Sequence, residues 1–191
     1  MPMVIYNTTK NGRQKRQPPG GLPRGRDYHK GDETMKATIH QQYSRPAAAE
    51  AFGHEFNPQI WNTGCVTRDD GDGVNVFLFV TLDKSKSSGY FEECHDYSDG
   101  FLNYQRIRWQ SQNRTSKVSK TGKRLVGEEE ATIHLFVRPQ KKESNRAVRF
   151  TYFGTVEAGK ARGEKPITIW FDLHNAVPAD LKSEFSVPSG L

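Results

Sequence analysis

Apolar residues in this chain fall into short runs divided by polar punctuation, and the run lengths are those of strands rather than helices. Val76-Phe77-Leu78-Phe79-Val80, inside a strand predicted over residues 74–82, reads as a central buried strand. Thr132-Ile133-His134-Leu135-Phe136-Val137 predicts a second clear strand. Further strands are predicted over residues 59–68, 90–97, 101–109, 148–156 and 167–173. The strand over 59–68 closes on Asp69-Asp70-Gly71-Asp72-Gly73, and Ser98-Asp99-Gly100 joins the strand predicted over 90–97 to the one over 101–109, both turn signals.

Helical signals are few. Ser44 is a credible N-cap, Pro46 falls in the first turn of the run Ala47-Ala48-Ala49-Glu50-Ala51-Phe52, and Gly53 supplies a stop. Residues 178–184 read as a short closing helix, and residues 84–89, 115–122 and 139–146 as loops. About seven strands without βαβ alternation predict an α+β fold, a mostly antiparallel β-sheet or barrel with short flanking helices.

Composition divides the chain in two. Residues 1–31 hold seven Lys or Arg against one acid, Asp27, whereas residues 32–191 hold 21 of each sign. The net charge of +6 therefore belongs to the first segment. With Asn11-Gly12, Pro18-Pro19-Gly20-Gly21 and Arg24-Gly25-Arg26, that segment reads as a flexible basic arm, suited to a phosphate backbone by counterion release. Residues 32–191 are expected to form one β-rich domain. No apolar run is long enough to span a membrane, and the basic N-terminus lacks the apolar core of a secretory signal, so the expected location is cytoplasmic. Cys65 and Cys94 lack a CxxC partner or a zinc-finger histidine, so they read as reduced structural thiols.

The candidate chemistry lies in Trp109-Gln110-Ser111-Gln112-Asn113-Arg114-Thr115-Ser116, a polar run with no aliphatic side chain. Residues 100–127 around it hold seven Lys or Arg and no acid. On an extended strand Arg106 and Arg108 share a face with Gln110 and Gln112, setting cations for phosphates beside amides able to read a base edge. The predicted nucleic-acid contact set is Arg106, Arg108, Gln110, Gln112, Asn113, Arg114, Thr115, Ser116 and Lys117. His95, Asp96 and Tyr97 are expected to border it as a pocket, with Trp109 pointing into the core or into the pocket wall, and Tyr104, Trp109, Tyr152 and Trp170 could offer stacking surfaces.

No cofactor, metal site or catalytic residue is predicted. Residues 69–73 fail the EF-hand spacing, Glu128-Glu129-Glu130 reads as a solvated loop, and Cys94-His95-Asp96 alternate across a strand and cannot converge as a triad. Nucleic-acid binding is therefore the leading reading of the residues themselves. A small metal-dependent nuclease and a protein-docking module are the alternatives.

Several segments together resemble a known family. They are Tyr43-Ser44-Arg45, Phe77-Leu78-Phe79-Val80-Thr81-Leu82-Asp83-Lys84-Ser85, His95-Asp96-Tyr97, the run from Trp109 to Ser116, Ile133-His134-Leu135-Phe136-Val137-Arg138, Tyr152-Phe153-Gly154 and Ile169-Trp170-Phe171-Asp172-Leu173. Over residues 43–183 this pattern resembles the domain of unknown function 3427 family. That resemblance implies the setting of superfamily-II helicases that carry a phospholipase-D-type nuclease, in bacterial restriction or defence systems. It implies DNA as a partner, and a helicase or nuclease subunit as a second. The chain has neither a GxxxxGK[ST] motif nor an HxK motif, so neither of those activities carries over. Reading of modified bases, as in PUA-like or SRA-like barrels, rests on analogy of fold alone.

Overall fold

The computed structural model describes residues 37–83 and 99–188. Its centre is the pair β3 (Val74–Asp83) and β6 (Thr132–Gln140), which run parallel with Phe77 opposite His134 and Phe79 opposite Phe136. Both strands are buried over five successive residues, 76–80 and 133–137, because side chains on both faces meet a hydrophobic layer. This explains the unbroken apolar runs: a strand covered on both sides has no polar face to alternate with. The prediction of a central buried strand holds for residues 76–80. A parallel pair requires a long crossover, and here it passes through β4 (Gly100–Asn103), β5 (Arg106–Gln110) and α3 (Lys120–Leu125).

The other pairings are antiparallel. The order is β2-β3-β6-β9-β10-β5-β4, with β2 at Cys65–Asp69, β9 at Phe150–Arg162 and β10 at Thr168–Leu173. β1 (Gln42–Tyr43) pairs with β9 off this path. The mostly β, mixed sheet does not close, so the barrel alternative is corrected to an open sheet. Residues 69–73 make the predicted hairpin turn between β2 and β3.

One sheet face carries Val76, Leu78, Leu135, Phe153, Phe171, Ile107 and Trp109, which pack with Leu125 and Phe185. The opposite face carries Phe77, Phe79, Phe136, Phe150 and Tyr152 beneath α1 (Arg45–Ala51) and α2 (Pro58–Trp61). α1 starts where predicted. Ser44 accepts from Ala47 N at 3.3 Å, and Gly53 follows at φ 74°. Arg45 reaches back from α1 to Trp61 O and, at 2.6 Å, to Thr63 O, with its guanidinium 4.4 Å from the Phe79 ring centroid.

Several boundaries differ from those predicted. Residues 59–68 are not one strand: Asn57 caps Gln59 N at 2.9 Å and Pro58 starts α2, so β2 begins only at Cys65. Residues 101–109 are a hairpin, because Asn103 Oδ1 accepts from Gln105 N at 2.8 Å and turns the chain. Residues 115–119 are loop and turn, and residues 120–122 open α3. Residues 139–146 hold the end of β6 and the two-residue strands β7 (Lys142–Glu143) and β8 (Arg146–Ala147), exposed throughout, while residues 178–184 form turns without a helix.

β6 and β9 fall out of register between His134 and Phe136, where two steps on β6 oppose three on β9. Gly154 sits in this bulge at φ 84°, and a Cβ there would lie 2.5 Å from Asn175 Nδ2. The bulge sets Tyr152 and Thr155 on the same face although they are three residues apart.

Candidate nucleic-acid interface and a second cleft

Alternation along β5 sorts the predicted strip. Ile107 and Trp109 face the first core, with Trp109 only 5% exposed and its ring 6.0 Å from Phe171. Trp109 is therefore a core residue, one of the two placements expected for it. Arg106, Arg108 and Gln110 face the other way, opposite Asp172, Trp170 and Thr168 of β10. On this face Trp170 is half-buried, with the Arg162 guanidinium 6.0 Å from its ring centroid. Tyr152, expected as a stacking surface, lies buried in the second core, stacked on Phe136 at 4.7 Å.

Arg106 and Gln110 are not unengaged cation and amide. Arg106 Nε donates to Asp172 Oδ1 at 2.6 Å, and Gln110 Nε2 donates to Thr168 Oγ1 at 3.0 Å. Gln112 does not share their strand, since β5 ends at Gln110. Ser111 ends the ladder instead: its N–H donates to Ile167 O and its hydroxyl accepts from Ile167 N, both at 2.9 Å.

After Ser111 the polar run becomes a compact turn held from across the sheet. Ser116 Oγ and, at 2.8 Å, Lys117 N donate to one carboxylate oxygen of Glu164, in the β9–β10 connection. These donors, with Lys117 and Lys165 close by, hold the Glu164 carboxyl below its usual range. Ser119 Oγ donates to Ser116 O at 2.6 Å and accepts from Gly122 N at 3.0 Å, capping α3. Thr115 N donates to Gln112 O at 2.9 Å. Ser116 is thus a structural hydrogen-bonding residue, whereas Gln112, Asn113 and Arg114 project into solvent from the turn. Through Glu164 the fold sets Lys117 and Lys165 about one carboxylate, a gathering that spacing in the sequence does not reveal.

On the same sheet face, towards β3 and β6, lies a cleft of about 710 Å³ lined by Ile39, Phe52, His54, Asp70, Asp72, Asn75, His134, Tyr152, Thr155 and Asn175 among others. Its floor is a chain of hydrogen bonds. Asn75 Nδ2 donates to Asp70 Oδ2 at 2.7 Å, so Asn75 Oδ1 faces His134 Nε2 at 3.0 Å. That oxygen can only accept, so Nε2 carries the proton and Nδ1 accepts from the Tyr152 hydroxyl at 2.9 Å. Phe77 stacks on the imidazole at 5.0 Å, and Phe52 meets it edge-on at 4.6 Å. Burial pushes the His134 pKa down to about 4, outweighing the attraction of Asp70, and pushes the Tyr152 phenol up to about 12. Both stay neutral across the physiological range, which keeps this pattern fixed. His54 Nε2 is buried 3.5 Å from Asp70 Oδ1, too far for a well-formed hydrogen bond.

This cleft was not among the sites expected from the sequence. The available signal was a histidine inside the apolar run 133–137, since a buried polar side chain must be satisfied by partners from elsewhere in the fold. His95, Asp96 and Tyr97, and Cys94 with them, lie outside the described residues. Cys65 is a free thiol with its pKa raised to about 12 by burial, consistent with a structural role. Among the described residues no group of three His, Cys, Asp or Glu is placed to hold a metal ion, and no helix is long and apolar enough to cross a membrane.

A search of curated proteins finds none that matches the chain. The model of the family described as domain of unknown function (DUF3427) matches residues 37–185, a span from the start of the described domain through β10 to Phe185. The chain belongs to that family.

Proposed function

We propose that the domain binds DNA through the open end of the sheet, where the turn after β5 meets the β9–β10 connection. The observation that carries this reading is the shared carboxylate of Glu164. By accepting from Ser116 and Lys117 it holds two loops together, and with them Lys117 and Lys165. The exposed Arg114 stands in the same turn as Lys117. Beside them Arg162 and the half-buried Trp170 offer a cation and an aromatic surface, and Gln112 and Asn113 offer exposed amides. Cations of this kind fix phosphates, and amides contact base edges. Arg106 drops out of the cation set because Asp172 neutralises it. Thr115 and Ser116 act by shaping the turn. The basic arm, residues 1–31, adds sequence-independent attraction.

A helicase or nuclease partner, in a restriction or defence system, is the setting that family resemblance suggests for such a reader. Preference for modified bases is a narrower form of the same proposal.

The test is fluorescence anisotropy on a labelled duplex across salt, with the full chain and with a chain beginning at residue 32. The shortened chain is expected to keep a salt-dependent affinity. Replacing Arg114, Lys117 and Lys165 together by Ala should weaken it about ten-fold or more. The same change should flatten the log–log salt slope by roughly 0.9 for each phosphate that is no longer neutralised. Complete loss of binding on removal of residues 1–31 overturns the proposal.

A further inference from the structure

We infer that the cleft over His134 is a binding site for a nucleobase bearing an exocyclic amino group. The inference builds on the reading of the domain as a DNA binder. The cleft volume, about 710 Å³, falls within the usual range for pockets that enclose small ligands. One wall is apolar, with Ile39, Ala51 and the half-buried Phe52. The opposite wall is polar, and its hydrogen bonds define what it asks of a ligand.

Both imidazole nitrogens of His134 are engaged, Nδ1 by Tyr152 and Nε2 by Asn75, so His134 offers a ligand neither donor nor acceptor. The Tyr152 proton is directed at His134, leaving its oxygen lone pairs as acceptors. Asp70 accepts from Asn75 through one oxygen, and among the described residues its other oxygen faces His54 Nε2 at 3.5 Å. Asp72 adds an exposed carboxylate. The wall is therefore rich in acceptors. Two carboxylates repel phosphate or a carboxylate ligand, and they reward a ligand that brings N–H groups. Cytosine and adenine present such donors at N4 and N6, whereas thymine and uracil present a carbonyl oxygen at the corresponding position. A planar ring also suits the aromatic wall, where stacking tolerates any base and the acceptors discriminate.

The cleft shares its sheet face with the proposed DNA interface. Trp170 is one strand away from β9 and about four residues along from Thr155, a separation of roughly 15 Å, or about four base-pair steps. The base can come from two sources: a free nucleoside, or a nucleotide turned out of the duplex.

The experiment uses the full chain with two ligand series. In the first, cytidine, adenosine and uridine are titrated into ¹⁵N-labelled protein, reading the side-chain amides of Asn75 and Asn175. Cytidine or adenosine should shift both, at least about ten-fold more tightly than uridine, matching a discrimination of 1–3 kcal/mol per good edge contact. D70N, which keeps an oxygen for Asn75 while removing the carboxylate, should lose that preference. Absence of any shift, equal response to uridine, or response to tetramethylammonium instead of nucleosides each overturns the site.

In the second series, duplexes carrying one unpaired cytosine or one unpaired thymine are compared with a matched duplex by anisotropy. Tighter binding to the unpaired cytosine, lost in D70N, assigns the base to DNA. Nucleoside selectivity without any preference among duplexes supports the site and assigns it to the free nucleoside. Intact nucleoside selectivity with no affinity for any duplex overturns the DNA reading alone. No nucleoside response with intact duplex binding overturns the cleft alone.

Discussion

At the scale of single residues, the His134 chain has a direct consequence for acid stability. In the unfolded chain the imidazole ionises near 6.5, and in the fold burial lowers this to about 4. Above pH 6.5 both states hold it neutral and it makes no pH-dependent contribution. As pH falls from 6.5 towards 4 the unfolded chain takes up a proton that the folded chain refuses, so stability is lost, to a ceiling of about 3 kcal/mol from this group. His54, lowered chiefly by burial, acts in the same direction. Urea midpoints at pH 7, 5.5 and 4.5 should fall more steeply for the native chain than for H134F, which has no proton to take up. Parallel slopes would refute the assignment. Y152F removes the hydroxyl that donates to His134 Nδ1 and leaves a buried nitrogen unpaired. It should cost about 1–3 kcal/mol at pH 7, where protonation plays no part.

At the scale of elements, α3 shows two local rules in conflict. Helix propensity alone says that Gly122→Ala stabilises a helix interior by about 1 kcal/mol. The packing says the reverse, because a Cβ at Gly122 would lie 1.9 Å from Ser116 O and 2.9 Å from Lys117 Cα. Those atoms are backbone, already fixed by Ser119 and Glu164, so they cannot yield as a flexible side chain would. Overpacking of this kind costs about 1–3 kcal/mol and outweighs the propensity gain. G122A should therefore lower the thermal midpoint, whereas S119A should cost about 1 kcal/mol through loss of the cap alone. A G122A chain more stable than the native one would show that the turn is not seated as described.

At the scale of the whole sheet, covering both faces of β3 and β6 predicts a gradient of local opening. Amides of β3, β6 and the first half of β9 should be the slowest to exchange, and those of the exposed β7–β8 hairpin among the fastest. Hydrogen exchange followed by mass spectrometry reads this order directly, and early exchange in residues 76–80 would contradict it.

The strands read over 74–82, 132–137 and 167–173 were legible because hydrophobic patterning is local: period-two alternation and buried runs are written in neighbouring residues. So were the Ser44 cap and the turn at residues 69–73, which depend on side chains two or three positions apart. The alternation of Arg106, Trp109 and Gln110 across β5 also followed from periodicity. Which of these polar groups stayed available to a ligand did not. Arg106 is taken up by Asp172, 66 positions away, Ser116 by Glu164, 48 away, and His134 by Asn75, 59 away. Each partnership depends on strand order and register, which long-range packing selects. Hydrophobic pattern and turn chemistry therefore sufficed for most of the strands among the described residues. The pairing across β3, β6, β9 and β10 alone turned scattered polar residues into one occupied strip and one acceptor-rich cleft, because hydrogen bonds between strands are formed by residues that sequence distance keeps apart.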